Sequence, residues 1–226
     1  MRDERPVGAV PRWVLLLLGA AFAAHVALQA GRPSAAPIAH SLPPAPSAEA
    51  LSLAAFGERA LLARVTMLYL QAFELAELDY ERLIAWLSAI LELDPRSDYP
   101  LFAAARVYAE VADPARSRAA LEFVYERFLA DPDRRWPWLA HAALLAKHRL
   151  KDLPLARRYA QAIDRHTRSP GVPLWAKQME VFILEDMGEL EAAKVMLGGL
   201  LEGGYINDPA EAAFLKQRLD ALGTRR

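Results

Sequence analysis

Cysteine is absent from all 226 residues. That removes disulfides, thiolate nucleophiles and cysteine-ligated zinc or iron–sulfur centres together. The absence fits an oxidising compartment without requiring one. Net charge is nearly missing too. The 27 Lys and Arg stand against 28 Asp and Glu, whereas a general nucleic-acid binder carries a basic excess. No G-x-S-x-G elbow, phosphate-binding loop or dinucleotide glycine fingerprint occurs. Acid pairs such as Glu185–Asp186 and Glu189–Glu191 are read as solvated helix ends. No enzyme activity and no cofactor are expected.

What is present begins with an apolar run. Residues 13–30, "WVLLLLGAAFAAHVALQA", carry no formal charge. As a helix they extend roughly 27 Å, about the thickness of a bilayer's hydrocarbon core. Arg2, Arg5 and Arg12 precede the run and only Arg32 follows before Glu49. This asymmetry places residues 1–12 in the cytoplasm and the remainder outside. With an Ala-, Arg- and Pro-rich composition, it predicts a single-pass protein of a bacterial inner membrane, its C-terminal domain in the periplasm. The alternative is a signal peptide cleaved after Ala30 and secretion to the periplasm, although Leu28 is large for such a site. His25 is expected to be a neutral passenger rather than a proton relay. Residues 31–47 hold Pro33, Pro37, Pro43, Pro44 and Pro46. They predict an extended spacer reaching on the order of 50 Å at about 3.1 Å per residue.

From Ala48 to Leu222 apolar residues recur at three- and four-residue steps, the mark of helix. "YPLFAAARVYAEV" at Tyr99, "WPWLAHAALLAKH" at Trp136 and "VPLWAKQMEVFIL" at Val172 share a large apolar residue, Pro, two residues and Ala. A weaker copy, "DPAEAAFL", starts at Asp208. The prolines at 100, 137, 173 and 209 step by 37, 36 and 36 residues. Periods of this size mark stacked helix pairs. Proline suits the first helical position, where its missing N–H would have no partner. Ala103, Ala140, Ala176 and Ala212 let a neighbouring helix approach. The second helix of each pair opens on an acid that can cap exposed N–H groups: Asp79, Asp113, Asp152 and Glu189.

These residues resemble a tetratricopeptide-repeat array. The best local match is "LEDMGELEAAKVMLGGLLEGG", Leu184 to Gly204, through Gly188 and Ala193; "ALEFVYERFLADP" matches through Ala120 and Pro132. The resemblance covers roughly Leu51 to Leu222. It implies an all-α, right-handed α-solenoid of about four helix pairs plus a terminal helix over residues 48–222, with a tail at 223–226, preceded by a single transmembrane helix. Pentatricopeptide repeats have a similar period, but they read RNA with basic charge that this chain lacks. The resemblance also implies a membrane-anchored scaffold or adaptor that captures a peptide or protein segment in a concave groove. The alternative is an accessory subunit of a larger inner-membrane complex, which predicts an apolar patch on a convex or terminal face.

Candidate partner-binding residues are those that break the repeat. Trp138, His141 and His148 have no counterpart in the neighbouring copies, where Lys177 and the leucines at 101, 174 and 184 are among the replacements. Leu145 completes this face. His141 and His148 lie about 20° apart on a helical wheel, opposite Leu139, Ala143, Ala146 and Leu150. Two turns separate them, too far for easy chelation, so no metal is expected. From Arg116 to Arg168 twelve basic residues face six acids, and from Lys177 to Asp220 four face nine. The basic middle, with Arg157 and Arg158 on a second helix, predicts attraction of an acidic segment.

Overall fold

The computed structural model describes residues 11–30, 41–203, 206 and 208–224. Two compact units divide the chain, one to His40 and one from Ser41. In the first, helix α1 (Arg12–Ala30) has 19 residues and keeps Trp13, Leu16, Leu18, Phe22 and Leu28 exposed. No residue of it is buried among those described. Among the described residues no helix is long and apolar enough to cross a membrane.

The second unit is helical, with no strand among the described residues. The short α2 (Ala48–Ala54) precedes four successive pairs. They are α3 (Arg59–Leu70) with α4 (Tyr80–Leu93), and α5 (Tyr99–Ala103) with α6 (Pro114–Ala130). Next come α7 (Pro132–His148) with α8 (Leu153–His166), and α9 (Leu174–Lys177) with α10 (Met179–Asp186) facing α11 (Leu190–Glu202). Helix α12 (Pro209–Thr224) packs on α11 and absorbs the start of the expected tail. Helices touch their neighbours along the chain: α4 meets α6, α6 meets α7, and α8 meets α10.

Local chemistry explains most boundaries. Asp79 accepts from the N–H groups of Glu81 and Arg82, Asp113 from Ala115 and Arg116, and Asp152 from Leu155. Each such cap contributes about 1 kcal/mol. Glu189 makes no side-chain cap bond. Gly188, at φ +78°, turns the chain from α10 into α11 in a conformation where a side chain would be strained. Ala103, Ala140 and Ala176 are buried as expected, with Ala120 and Ala193 on the second helices. Ala212 is only half-buried.

Three expectations need correction. The extended spacer does not reach residue 47, because Leu42 is buried and the folded unit begins at Ser41. The Leu42 carbonyl accepts from Arg82 at 2.7 Å and the Pro43 carbonyl from the Trp86 indole at 2.8 Å. This stretch is therefore fastened to α4; residues 31–40 of the spacer lie outside the described residues. Second, Pro137 is not at a helix start. Helix α7 opens at Pro132, five residues earlier, and Pro137 sits inside it. It forfeits the bond to the Asp133 carbonyl, and buried Leu139, Ala142, Ala143 and Ala146 hold the helix together beyond it. Third, the first helices of two pairs are interrupted. Helix α5 passes into a π turn, Ala104–Tyr108, closed by Ala109 N–H on the Ala104 carbonyl. Pro173 precedes α9 rather than opening it, and a turn at Gln178 separates α9 from α10.

Side-chain hydrogen bonds reproduce the period. Arg82 to Leu42, Arg116 to Ala76 and Arg135 to Pro95 each reach a carbonyl 40 residues back. Arg134 and Arg149 do so at 38 and 39. Tyr159 donates to Glu122, 37 residues away, and Arg218 to Glu185, 33 away. Helices distant in sequence are thus joined by arginine as well as by apolar packing. The main core runs from Leu42 to Ile183, and a smaller cluster of Val181, Leu184, Ala193, Leu197, Leu215 and Leu222 closes the C-terminal end.

Candidate functional site

Partly exposed aromatic residues line up on the first helices of the second and third pairs. Helix α5 points Tyr99 and Phe102 outward, their rings stacked with centroids 5.9 Å apart. Phe102 meets the half-buried Trp138 of α7 edge-to-face at 5.7 Å. Gln71, just after α3, donates to the Tyr99 hydroxyl at 2.9 Å. A partly exposed aromatic row therefore crosses two successive pairs. Edge-to-face and stacked rings hold one another in place, so the row is preorganised. A second aromatic contact, Trp136 with the exposed Trp175 at 5.5 Å, links α7 to α9.

Beside the row, the π turn sets Arg106, Val107 and Glu110 at the surface against α7. His141 faces them. Its Nε2 lies 3.8 Å from Glu110 Oε1, beyond hydrogen-bonding range, and is buried without a hydrogen-bond partner. Burial lowers the imidazole pKa below its ordinary value, the Arg106 charge lowers it further, and Glu110 opposes both. Burial and Arg106 together favour the neutral imidazole. A π turn is uncommon and often marks a functional site. Here it lies against His141, a half-buried side chain that breaks the repeat.

The other expected residues scatter. His148 is exposed at the end of α7, and Leu145 is half-buried against the main core. Leu139, Ala143 and Ala146 form the buried side of α7, as the wheel predicts, but Ala140 and Ala142 are buried too. So α7 is packed over most of its circumference, and His141 is only partly available. Lys177 is half-buried within electrostatic reach of Asp133. Asp133 accepts from the backbone N–H groups of Arg168 and Ser169, and these two bonds hold its carboxyl below the usual range.

Arg157 and Arg158 are committed internally. Arg157 pairs with the buried Glu180 at 3.0 Å, and Gln161 donates to the same oxygen at 3.1 Å. This pair lines a cleft of about 550 Å³ between α8, α10 and α11. Arg158 pairs with Glu122 and lies over the rings of Tyr125 and Tyr159. Burial, then the Glu122 charge, pushes the Tyr159 hydroxyl pKa far up. Of the twelve basic side chains between 116 and 168, nine hold a carboxylate, carbonyl, hydroxyl or ring. Six of the twelve meet a carboxylate, so half of these cations are paired with an opposite charge.

Sequence reasoning missed the buried polar residues Arg135, Gln178 and Glu180, and it read Glu185 as a solvated helix end where the side chain is buried and paired with Arg218. The Asp-x-x-Arg spacing at 79–82, 113–116 and 131–134 marks partly exposed ion pairs and gave no signal of these buried ones. Among the described residues no group of three or more His, Asp or Glu side chains could hold a metal ion. Comparison with protein-family models, with curated proteins and with solved structures finds no match.

Proposed function

We propose that the chain is a membrane-anchored adaptor whose tetratricopeptide-like, right-handed solenoid captures a peptide or protein segment on its first helices. The observation that carries this reading is the row Tyr99–Phe102–Trp138. Partly exposed aromatics fixed in mutual contact provide large contact area at little further ordering cost, the character of interface hot spots. Because the row is aromatic, the favoured partner presents apolar or aromatic side chains. Attachment through residues 13–30, with the folded unit in the bacterial periplasm, belongs to the same proposal. It is supported by the exposed leucines of α1 and the arginines before it. An accessory-subunit role finds its support in a different place, the exposed apolar face of α3.

The test is cross-linked affinity purification of the full-length protein from its native membrane. Phe102→Ala with Trp138→Ala should lower partner recovery at least about tenfold, since losing two hot-spot aromatics removes more than 1.4 kcal/mol. The melting midpoint, measured on the same samples, separates lost binding from lost folding. Undiminished recovery would place binding elsewhere and reject the groove.

A further inference from the structure

Residues 41–47, "SLPPAPS", lie on the folded unit as a peptide lies in a groove. Pro43, Pro44 and Pro46 have φ fixed at about −65° and carry no N–H. Leu42, Pro43 and Ala45 each precede a proline, which pushes them to extended backbone too. The stretch is therefore confined to a polyproline-like conformation, which forms no internal hydrogen bonds and offers carbonyls without matching donors. Ser47, at φ −66° and ψ 154°, carries that conformation up to the start of α2.

Helix α4 supplies the donors. Arg82 and Trp86 stand one turn apart on one face and donate to the successive Leu42 and Pro43 carbonyls. Leu42 itself is buried in the main core, and Ala45 packs against it. The Trp86 ring lies 5.6 Å from Tyr69, which meets Phe73 edge-to-face at 5.1 Å. These rings fix the indole with its N–H toward the segment. An aromatic-lined groove is a recurrent receptor for proline-rich segments, which lose little freedom on docking. The attachment is also local. Ser41, Pro43, Pro44 and Ser47 are exposed, and among the described residues no backbone–backbone hydrogen bond ties residues 41–46 to another element. A segment held by so few contacts opens while the helices stay folded. We propose that this face of α4 is a docking site for an extended Leu-Pro-Pro segment of a partner protein, and that residues 41–47 occupy it in cis as a displaceable strap. The tether holds the strap at an effective concentration on the order of millimolar, so a partner segment must compete with it. This site is built from other residues than the row of Tyr99, Phe102 and Trp138 and does not depend on it.

The peptide Ser-Leu-Pro-Pro-Ala-Pro-Ser, labelled with fluorescein, is titrated into full-length native protein and into Leu42→Asp, with anisotropy as the readout. Aspartate cannot stay in the Leu42 pocket, so the variant releases its strap. It should bind the peptide at least about tenfold more tightly than the native chain does. Adding Trp86→Phe should weaken that binding about tenfold, and a peptide with Asp in place of Leu should bind neither chain. A second measurement uses the native chain alone. The Trp86 indole N–H, identified by its loss in Trp86→Phe, should exchange with deuterium at least about a hundredfold faster than the slowest amides of α4. Exchange as slow as those amides would show that the strap leaves only on unfolding, and overturns the proposal. So does a Leu42→Asp chain of unchanged ellipticity that ignores the peptide. Dimers of the native chain that the peptide dissociates would assign the segment to a second copy rather than to a partner protein, and overturn it too.

Discussion

His141 shows how a residue chosen for breaking the repeat becomes a titration-linked part of the fold. Its Nε2 is buried without a partner, 3.8 Å from Glu110, and its pKa lies below the ordinary value of 6.5. The unfolded chain therefore binds the imidazole proton more readily than the folded one. Stability from this residue is complete above about pH 6.5 and declines as pH falls through the folded pKa. Melting midpoints between pH 7.5 and pH 5 should fall for the native chain and fall less for His141→Asn, measured in one buffer series. Equal slopes would mean that the imidazole is solvated. The depressed carboxylates Asp133 and Asp152 titrate at lower pH and leave this window clear. Arg157 teaches the complementary lesson: it looks like a surface cation in a charge count, yet removing it would strand the buried Glu180.

At the scale of elements, Asp79, Asp113 and Asp152 were readable because a cap acts on its own next three residues. The repeat of Pro and Ala was readable for a similar reason, being a pattern in composition. The start of α7 was not, since Pro137 carries the same local signal as Pro100 while packing extends the helix back to Pro132. The π turn after α5 left no mark in the sequence either. Half of the candidate site was visible: Trp138 stood out, but its partner Phe102 lies 36 residues back. Crowding supplies the test of register. Ala140→Leu, at a position 3% exposed between packed helices, should lower stability by about 1–3 kcal/mol. Glu126→Leu on the exposed side of α6 should change it by less than about 0.5 kcal/mol. Urea unfolding followed by circular dichroism compares the two, and similar small effects would mean that Ala140 does not sit at a tight crossing.

For the whole molecule, the division of the core matters. The large cluster ends near Ile183, and α11 and α12 close over a much smaller one. The terminal helix is held by the bidentate Arg218–Glu185 pair and by Gln178 donating to Glu211. Elements with fewer buried contacts open first. Amide hydrogen exchange should therefore be fastest in α11 and α12 and slowest in α6 to α8, and Arg218→Ala should widen the gap. Uniform protection from α4 to α12 would show that the two clusters melt as one unit.

The extended segment from Leu42 to Pro46 covers one side of α4. A stack of similar units has two sticky ends, and head-to-tail joining of such ends produces open fibres. Here the donors of Arg82 and Trp86 that would seek the chain of a neighbouring molecule are already satisfied by the protein's own carbonyls. The short proline-rich segment thus occupies these donors with residues that resemble linker.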